Sequence, residues 1–132
     1  PEAIQETLDF AIRHHFAAAN FNPLIPMPDT KLYSRLMSQG KLIYDKWWLE
    51  KGYKYGDTVF YAGRMTPDEL KEGCKNARFE FNTYRCIFKR LIRNRANLTP
   101  LNAFVFLVLN VVSRKEIHRK QGKLLGSPEE SK

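Results

Sequence analysis

The sequence predicts a mainly α fold of four or five helices with one short N-terminal strand, and three observations carry that expectation. Apolar residues recur at three- and four-residue spacing near the N-terminus and again after Thr66. The run Thr66-Pro67-Asp68-Glu69 is a helix start written in four residues. The stretch from Ala103 to Val112 is apolar except for Asn110, the pattern of a helix that is fully buried, lies in a bilayer interface or is covered by a partner or absent domain, the last being the leading reading.

Taken in order, Ile4, Leu8, Ala11, Ile12 and Phe16 predict an amphipathic helix over residues 2–19, with Glu2, Glu6 and Asp9 toward its positive end. Phe21 to Ile25 reads as an edge strand, because Pro23 cannot donate to a ladder. Asp29 or Thr30 then caps a short helix from Lys31 to Gln39, closed by Gly40, with Leu32, Tyr33, Leu36 and Met37 on one face. From Lys41 to Gly63 periodicity breaks up, and Trp47, Trp48, Tyr53, Tyr55, Phe60 and Tyr61 stand among Gly52, Gly56 and Gly63. An irregular segment of that length is usually functional or packed on something else. After the Thr66 cap, Leu70, Cys74, Ala77, Phe81, Tyr84, Phe88 and Leu91 predict one long helix with a continuous core-facing stripe. Asn97 and Thr99-Pro100 mark a break and a new cap, followed by the apolar helix and a basic turn from Arg114 to Lys120. The residues from Gln121 onward read as a disordered tail.

A chain of 132 residues, 43% hydrophobic and 13% aromatic, holds one domain's worth of material and enough to bury a core. That excludes a polymerase, a transporter or a complete two-domain enzyme, and nine Phe, six Tyr and two Trp argue against disorder throughout. The chain opens at Pro1 already in helical pattern, which reads as a piece of a longer protein. No run approaches the roughly 18 apolar residues of a spanning helix, and no signal peptide pattern is present. Cys74 and Cys86 are too few for a disulfide framework or a four-thiolate metal site, and read as reduced thiols of a cytoplasmic protein.

The net charge of +8 is concentrated. Between Arg85 and Lys123 ten Lys or Arg face a single acid, Glu116, while the rest of the chain holds twelve basic and thirteen acidic residues. Such a patch suits an anionic membrane surface, an acidic protein partner or nucleic acid. Nucleic acid is disfavoured because the aromatics needed for stacking, Phe81, Tyr84 and Phe88, fall on the predicted core stripe. A solvated or partner-facing patch is the leading reading, and peripheral membrane contact remains open.

Chemistry-bearing patterns are sparse. His14 and His15 point about 100° apart on a helix, and no acid or thiol stands at ligand spacing. Ser34, Ser38 and Ser113 lack His and acid partners, and Asp68, Glu69 and Glu72 are explained by helix capping. No catalytic, cofactor-binding or metal-ligating residue is assigned.

One resemblance does emerge. The run from Phe21 through Pro26-Met27-Pro28-Asp29-Thr30-Lys31-Leu32-Tyr33 to Leu36 and Gly40 resembles a signature of radical S-adenosylmethionine (SAM) proteins, in which the last barrel strand enters a P-x-P-G-T-x-L-Y-x-x-L-x-x-x-G segment. Asp29 stands where that family usually has Gly. Trp47, Phe60, the run Arg64-Met65-Thr66-Pro67-Asp68-Glu69-Leu70 and Gly73 are similar to the C-terminal extension of the cobalamin-binding branch, as are Phe81, Tyr84, the Arg-rich end and the apolar helix. The match covers about residues 5–120 and draws its specificity from the order of its motifs. It implies the C-terminal accessory region of an Fe–S oxidoreductase similar to the anaerobic magnesium-protoporphyrin IX monomethyl ester cyclases. Residues 1–30 would end the barrel as a helix-strand remnant, 31–120 would form a helical accessory domain, and 121–132 a tail. The parent would carry a 4Fe–4S cluster, SAM and, in this branch, cobalamin. The family's Cys-x3-Cys-x2-Cys loop is not matched here, so the chain alone is expected to hold no cofactor and to be inactive. The implied partners are the N-terminal domains of the same protein, against which residues 41–63 and the helix from Ala103 to Val112 would pack to close the barrel over substrate. Without them, the uncovered apolar helix predicts a two-fold homodimer.

Overall fold

The computed structural model describes residues 2–120 and 122–124. It is mainly helical, with five α-helices and two 3₁₀ turns among the described residues. The chain folds as two compact units: residues up to Phe21 with Gly73–Arg119, and Asn22–Glu72 with the chain from Lys120. The chain passes from one unit to the other after Phe21, after Glu72 and after Arg119, the last two inside helices.

In the first unit, α1 (Glu2–Arg13) is shorter than its apolar spacing predicts. His15 turns left-handed at φ 54°, and the Phe16 N–H reaches back to the Ala11 carbonyl at 3.1 Å, which closes the helix end. Phe16 therefore leaves the core stripe and meets Phe10 edge-on, with ring centroids 5.7 Å apart. Leu8, Ala11, Phe21, Ala77 and Phe81 form the buried core, flanked by Ile4, Ile12 and Ala19.

The single long helix expected after Thr66 is two. α3 (Pro67–Phe81) and α4 (Tyr84–Arg93) are separated by Asn82 and Thr83. The Asn82 side-chain amide donates to the Arg78 carbonyl at 2.9 Å, and the Thr83 hydroxyl donates to the Glu80 carbonyl at 3.0 Å while accepting from the Cys86 N–H. Both side chains compete with the helix for its own backbone groups, and the ladder stops there. The break rotates α4, so Cys86, Ile87 and Arg90 face inward. Tyr84 and Phe88, expected in the core, are 66% and 62% exposed. After a 3₁₀ turn at Arg95–Leu98, α5 (Pro100–Lys120) runs through the segment expected to be a basic turn.

The second unit contains little regular structure. The expected strand from Phe21 to Ile25 does not form; the segment is irregular, with Pro23 and Pro26 withholding donors and no neighbouring strand among the described residues to pair with. Pairing among the described residues is confined to isolated antiparallel bridges, Leu42 with Phe60 and Lys54 with Leu124. Part of the irregular aromatic segment thus closes on itself: Ile43 N–H donates to Val59 O and Tyr61 N–H to Lys41 O, both at 2.9 Å. α2 (Lys31–Ser38) starts at Thr30, whose hydroxyl accepts from the Tyr33 N–H. α3 starts with the predicted reciprocal pair, Thr66 N–H to Glu69 Oε2 at 2.8 Å and Glu69 N–H to Thr66 Oγ1 at 3.2 Å. Of the predicted tail, Gly122–Leu124 are placed beside Lys54 and Tyr55, with Tyr55 N–H donating to Lys123 O at 2.8 Å. Residues 121 and 125–132 lie outside the described residues.

Candidate functional site

Two features of the structure concentrate polar or aromatic side chains, one in each unit. In the first unit Arg90 is fully buried. Its Nη1 donates to the carbonyls of Phe16 (2.7 Å) and Ala17 (3.1 Å), and its Nη2 to the carbonyl of Phe81 (2.9 Å) and Oδ1 of Asn110 (2.8 Å). The guanidinium also stacks on the Phe81 ring at 3.7 Å from its centroid. Burial pulls its pKa below the ordinary arginine value, opposed in part by the Cys86 thiol. Two acceptors follow α1 and a third ends α3, so the negative ends of two helices balance a charge that meets no carboxylate among these contacts. Asn110, the lone polar residue of the apolar run, completes the arrangement by donating to Ala17 O and Phe106 O. This network is spent on structure and leaves the guanidinium no face for a ligand.

The second feature is a cavity of about 220 Å³ in the second unit. One wall is Asn22, Pro23 and Ile25; the other is Trp47, Tyr53, Tyr55 and Asp57. The Trp47 indole N–H donates to the Pro26 carbonyl at 3.1 Å and fixes the first wall to the second. Trp47 and Tyr53 pack with ring centroids 5.4 Å apart. The Asp57 carboxylate is held by Lys71 Nζ at 2.6 Å and by the Lys54 N–H at 3.0 Å. Burial, then the nearby Asp57 charge, pushes the Tyr53 hydroxyl above its ordinary pKa of 10.0, so it remains a neutral phenol that donates to Asp57 O. The lining is apolar and aromatic, and the one acid already has its cation. Chemically it is a slot for a flat or aliphatic group, smaller than the roughly 300 Å³ at which ligand pockets begin.

The residues weighed from sequence do not converge. His14 lies against Phe10 and His118 against Phe79, with ring centroids 4.3 and 4.9 Å apart. Ser38 Oγ donates to Arg35 O. Among the described residues no group of three or more His, Cys, Asp or Glu could hold a metal ion. Cys74 and Cys86 are both buried and free, on different helices, and burial pushes the Cys74 thiol up despite the nearby Arg78. Two inward-facing thiols do not fit a four-iron cluster. The basic run splits: Arg85, Lys89, Arg93 and Arg95 are exposed, while Arg90 is not a surface residue at all. The signal for Arg90 lay in its position three and four residues after Ile87 and Cys86, on the apolar side of α4.

Comparison of the chain with family models, curated proteins and solved structures gave no match.

Proposed function

We propose that this chain is the C-terminal accessory region of a radical SAM Fe–S oxidoreductase of the cobalamin-binding type, cyclase- or methyltransferase-like. It covers part of the barrel and substrate site and does no chemistry alone. The observation that carries the reading is the cavity in the second unit. Its walls unite Asn22, Pro23 and Ile25, from the segment that resembles the last barrel strand, with Trp47, Tyr53 and Tyr55 from the segment that resembles the extension. An accessory region that closes a barrel edge needs such a seam. A second feature supports it: Asp29, the residue that departs from the family's usual Gly, has φ 62°, the left-handed region where Gly is at home and Asp is tolerated.

The test is made on the full-length product of the gene. A Cys-x3-Cys-x2-Cys loop upstream, 4Fe–4S absorption after anaerobic purification and cleavage of SAM are expected. Replacing Trp47 or Tyr55 by Ala should lower turnover of substrate while leaving cluster absorption intact. A full-length sequence without that loop, or cluster binding by the 132-residue chain alone, would overturn the proposal.

A further inference from the structure

The side chains that line the cavity of the second unit have largely committed their polar groups elsewhere. The Trp47 indole N–H goes to the Pro26 carbonyl, and the Tyr53 hydroxyl to the Asp57 carbonyl. The Asp57 carboxylate is paired with Lys71 Nζ at 2.6 Å and accepts from the Lys54 N–H. What these groups leave for the cavity is ring and aliphatic surface: Trp47, Tyr53 and Tyr55 on one wall, Pro23 and Ile25 on the other.

The walls hold each other in place. Trp47 packs against Tyr53 at 5.4 Å and edge-on to Trp48 at 5.7 Å between ring centroids, and its hydrogen bond to Pro26 ties it to the segment that carries Pro23 and Ile25. Pro23 and Tyr53 are buried while Asn22 and Tyr55 are exposed, so the cavity has a closed inner end and a mouth. Its size is equally informative. About 220 Å³ exceeds the roughly 150 Å³ in which an apolar protein cavity takes up benzene, and falls short of the roughly 300 Å³ of ordinary ligand pockets. That is room for one ring or two fused rings, not for a larger molecule.

We propose that this cavity is a binding site for a neutral planar aromatic ring system of one or two cycles, of which indole is the representative. The ring would lie against Trp47 and Tyr53 and gain the offset or edge-on contacts that aromatic pairs favour. Charge selects the ligand. Three aromatic side chains and a carboxylate would otherwise suit an ammonium group. Here Lys71 already neutralises that carboxylate and would repel a second cation. An anion would meet Asp57 and the electron-rich faces of the rings. A neutral ring loses nothing to either group. The inference goes beyond the proposed function, which needs the cavity only as a seam, and its test involves neither cluster nor SAM.

The experiment is titration of the isotope-labelled 132-residue chain with indole, phenyltrimethylammonium and benzoate, followed by amide and indole N–H resonances. Indole is expected to saturate with a dissociation constant below about 1 mM, moving the Trp47 indole N–H and the amides from Tyr53 to Asp57. The two charged rings should bind at least about ten-fold more weakly. Ile25→Trp fills the cavity from the opposite wall and should abolish the indole shifts with circular dichroism unchanged. Lys71→Gln leaves Asp57 without its cation and should strengthen phenyltrimethylammonium binding at least about ten-fold. This second variant tests the charge rule even where Ile25→Trp does not fold. No saturable shift with indole, or shifts confined to residues away from the cavity, would overturn the proposal. So would phenyltrimethylammonium or benzoate binding as tightly as indole to the unsubstituted chain, a folded Ile25→Trp variant that still binds indole, or a Lys71→Gln variant with no gain for the cation.

Discussion

In the first unit, carbonyls left over where α1 and α3 end converge on one guanidinium, whereas in the second unit comparable groups are met one at a time. There the Trp47 indole serves Pro26, the Tyr33 hydroxyl serves Asp45 and the Thr58 hydroxyl serves Pro67 at 3.1 Å. The first unit can be built from helices because its irregular ends share a single hub, Arg90. The second, with Pro23, Pro26 and Pro28 interrupting its backbone, has no ladder to rely on and spreads its polar load over many side chains. A concentrated load fails all at once; a distributed one fails by small steps.

The largest expected effect is therefore at Arg90. Arg90→Met keeps much of the apolar bulk but strands the Phe16 and Phe81 carbonyls and Oδ1 of Asn110, with Ala17 O keeping only the Asn110 amide, and should cost about 3–5 kcal/mol. Arg90→Lys should recover little, because a point ammonium cannot reproduce the fork that serves all four acceptors. Thermal unfolding followed by circular dichroism measures both, and an Arg90→Met melting temperature within a few degrees of the parent would break the comparison. At Trp47, by contrast, Trp47→Phe removes one hydrogen bond and some ring contact, and a loss of about 1–2 kcal/mol is expected in urea unfolding.

The same contrast decides what the sequence made legible. Capping chemistry is local, so Thr66 could be read directly and Thr30 as one of two candidates with Asp29, and the α class with them. The end of α1 at His15 and the break at Asn82-Thr83 were hidden because an apolar stripe at helical spacing runs past both, through Phe16 and through Tyr84 and Phe88. Periodicity reports which residues could share a face, not whether the backbone between them stays helical. Arg90 and Asn110 stand 20 residues apart and read as a basic patch and a blemish until the fold brings them to 2.8 Å. The cavity could not be anticipated either, since its walls come from segments that only tertiary folding joins.

A smaller effect is expected at the α3 start. Thr66→Ala should cost about 1 kcal/mol, the usual worth of such a cap. The Thr66 backbone N–H, and then its hydroxyl, hold the Glu69 carboxyl below its ordinary pKa. A lowered pKa means that the stabilisation is present above the unfolded-state value and is lost as pH falls through the folded one. Stability of the parent should thus decline with acid between those two values, and Glu69→Gln should flatten that part of the profile. An unchanged profile in the variant would separate the box from the acid response. Smaller again is Asp29→Gly: it relieves the φ of 62° but frees the unfolded chain, and a net gain of no more than about 1 kcal/mol is expected in urea unfolding, with a loss counting against the left-handed turn.

The smallest net effect should come from Gly73→Ala, because two terms oppose each other. Within α3, Ala is favoured over Gly by about 1 kcal/mol. A Cβ at Gly73 would lie 2.7 Å from Cδ1 of Ile4, while the next Ile4 atom is 3.9 Å away. Only the tip of a rotatable side chain is in the way, and turning it off its rotamer costs about 0.5–1.5 kcal/mol. The terms nearly cancel, so Gly73→Ala alone should shift stability by less than about 0.5 kcal/mol. Ile4→Val removes Cδ1 and with it the clash, at about 1 kcal/mol for the lost methyl group. In the double variant the helix-propensity gain is no longer offset, and the two changes should be non-additive by about 1 kcal/mol in the stabilising direction. Urea unfolding of the four chains measures that coupling directly. Strict additivity would mean that Ile4 does not touch α3 at Gly73, and that α1 and α3 owe their packing to the Leu8, Ala77 and Phe81 cluster alone.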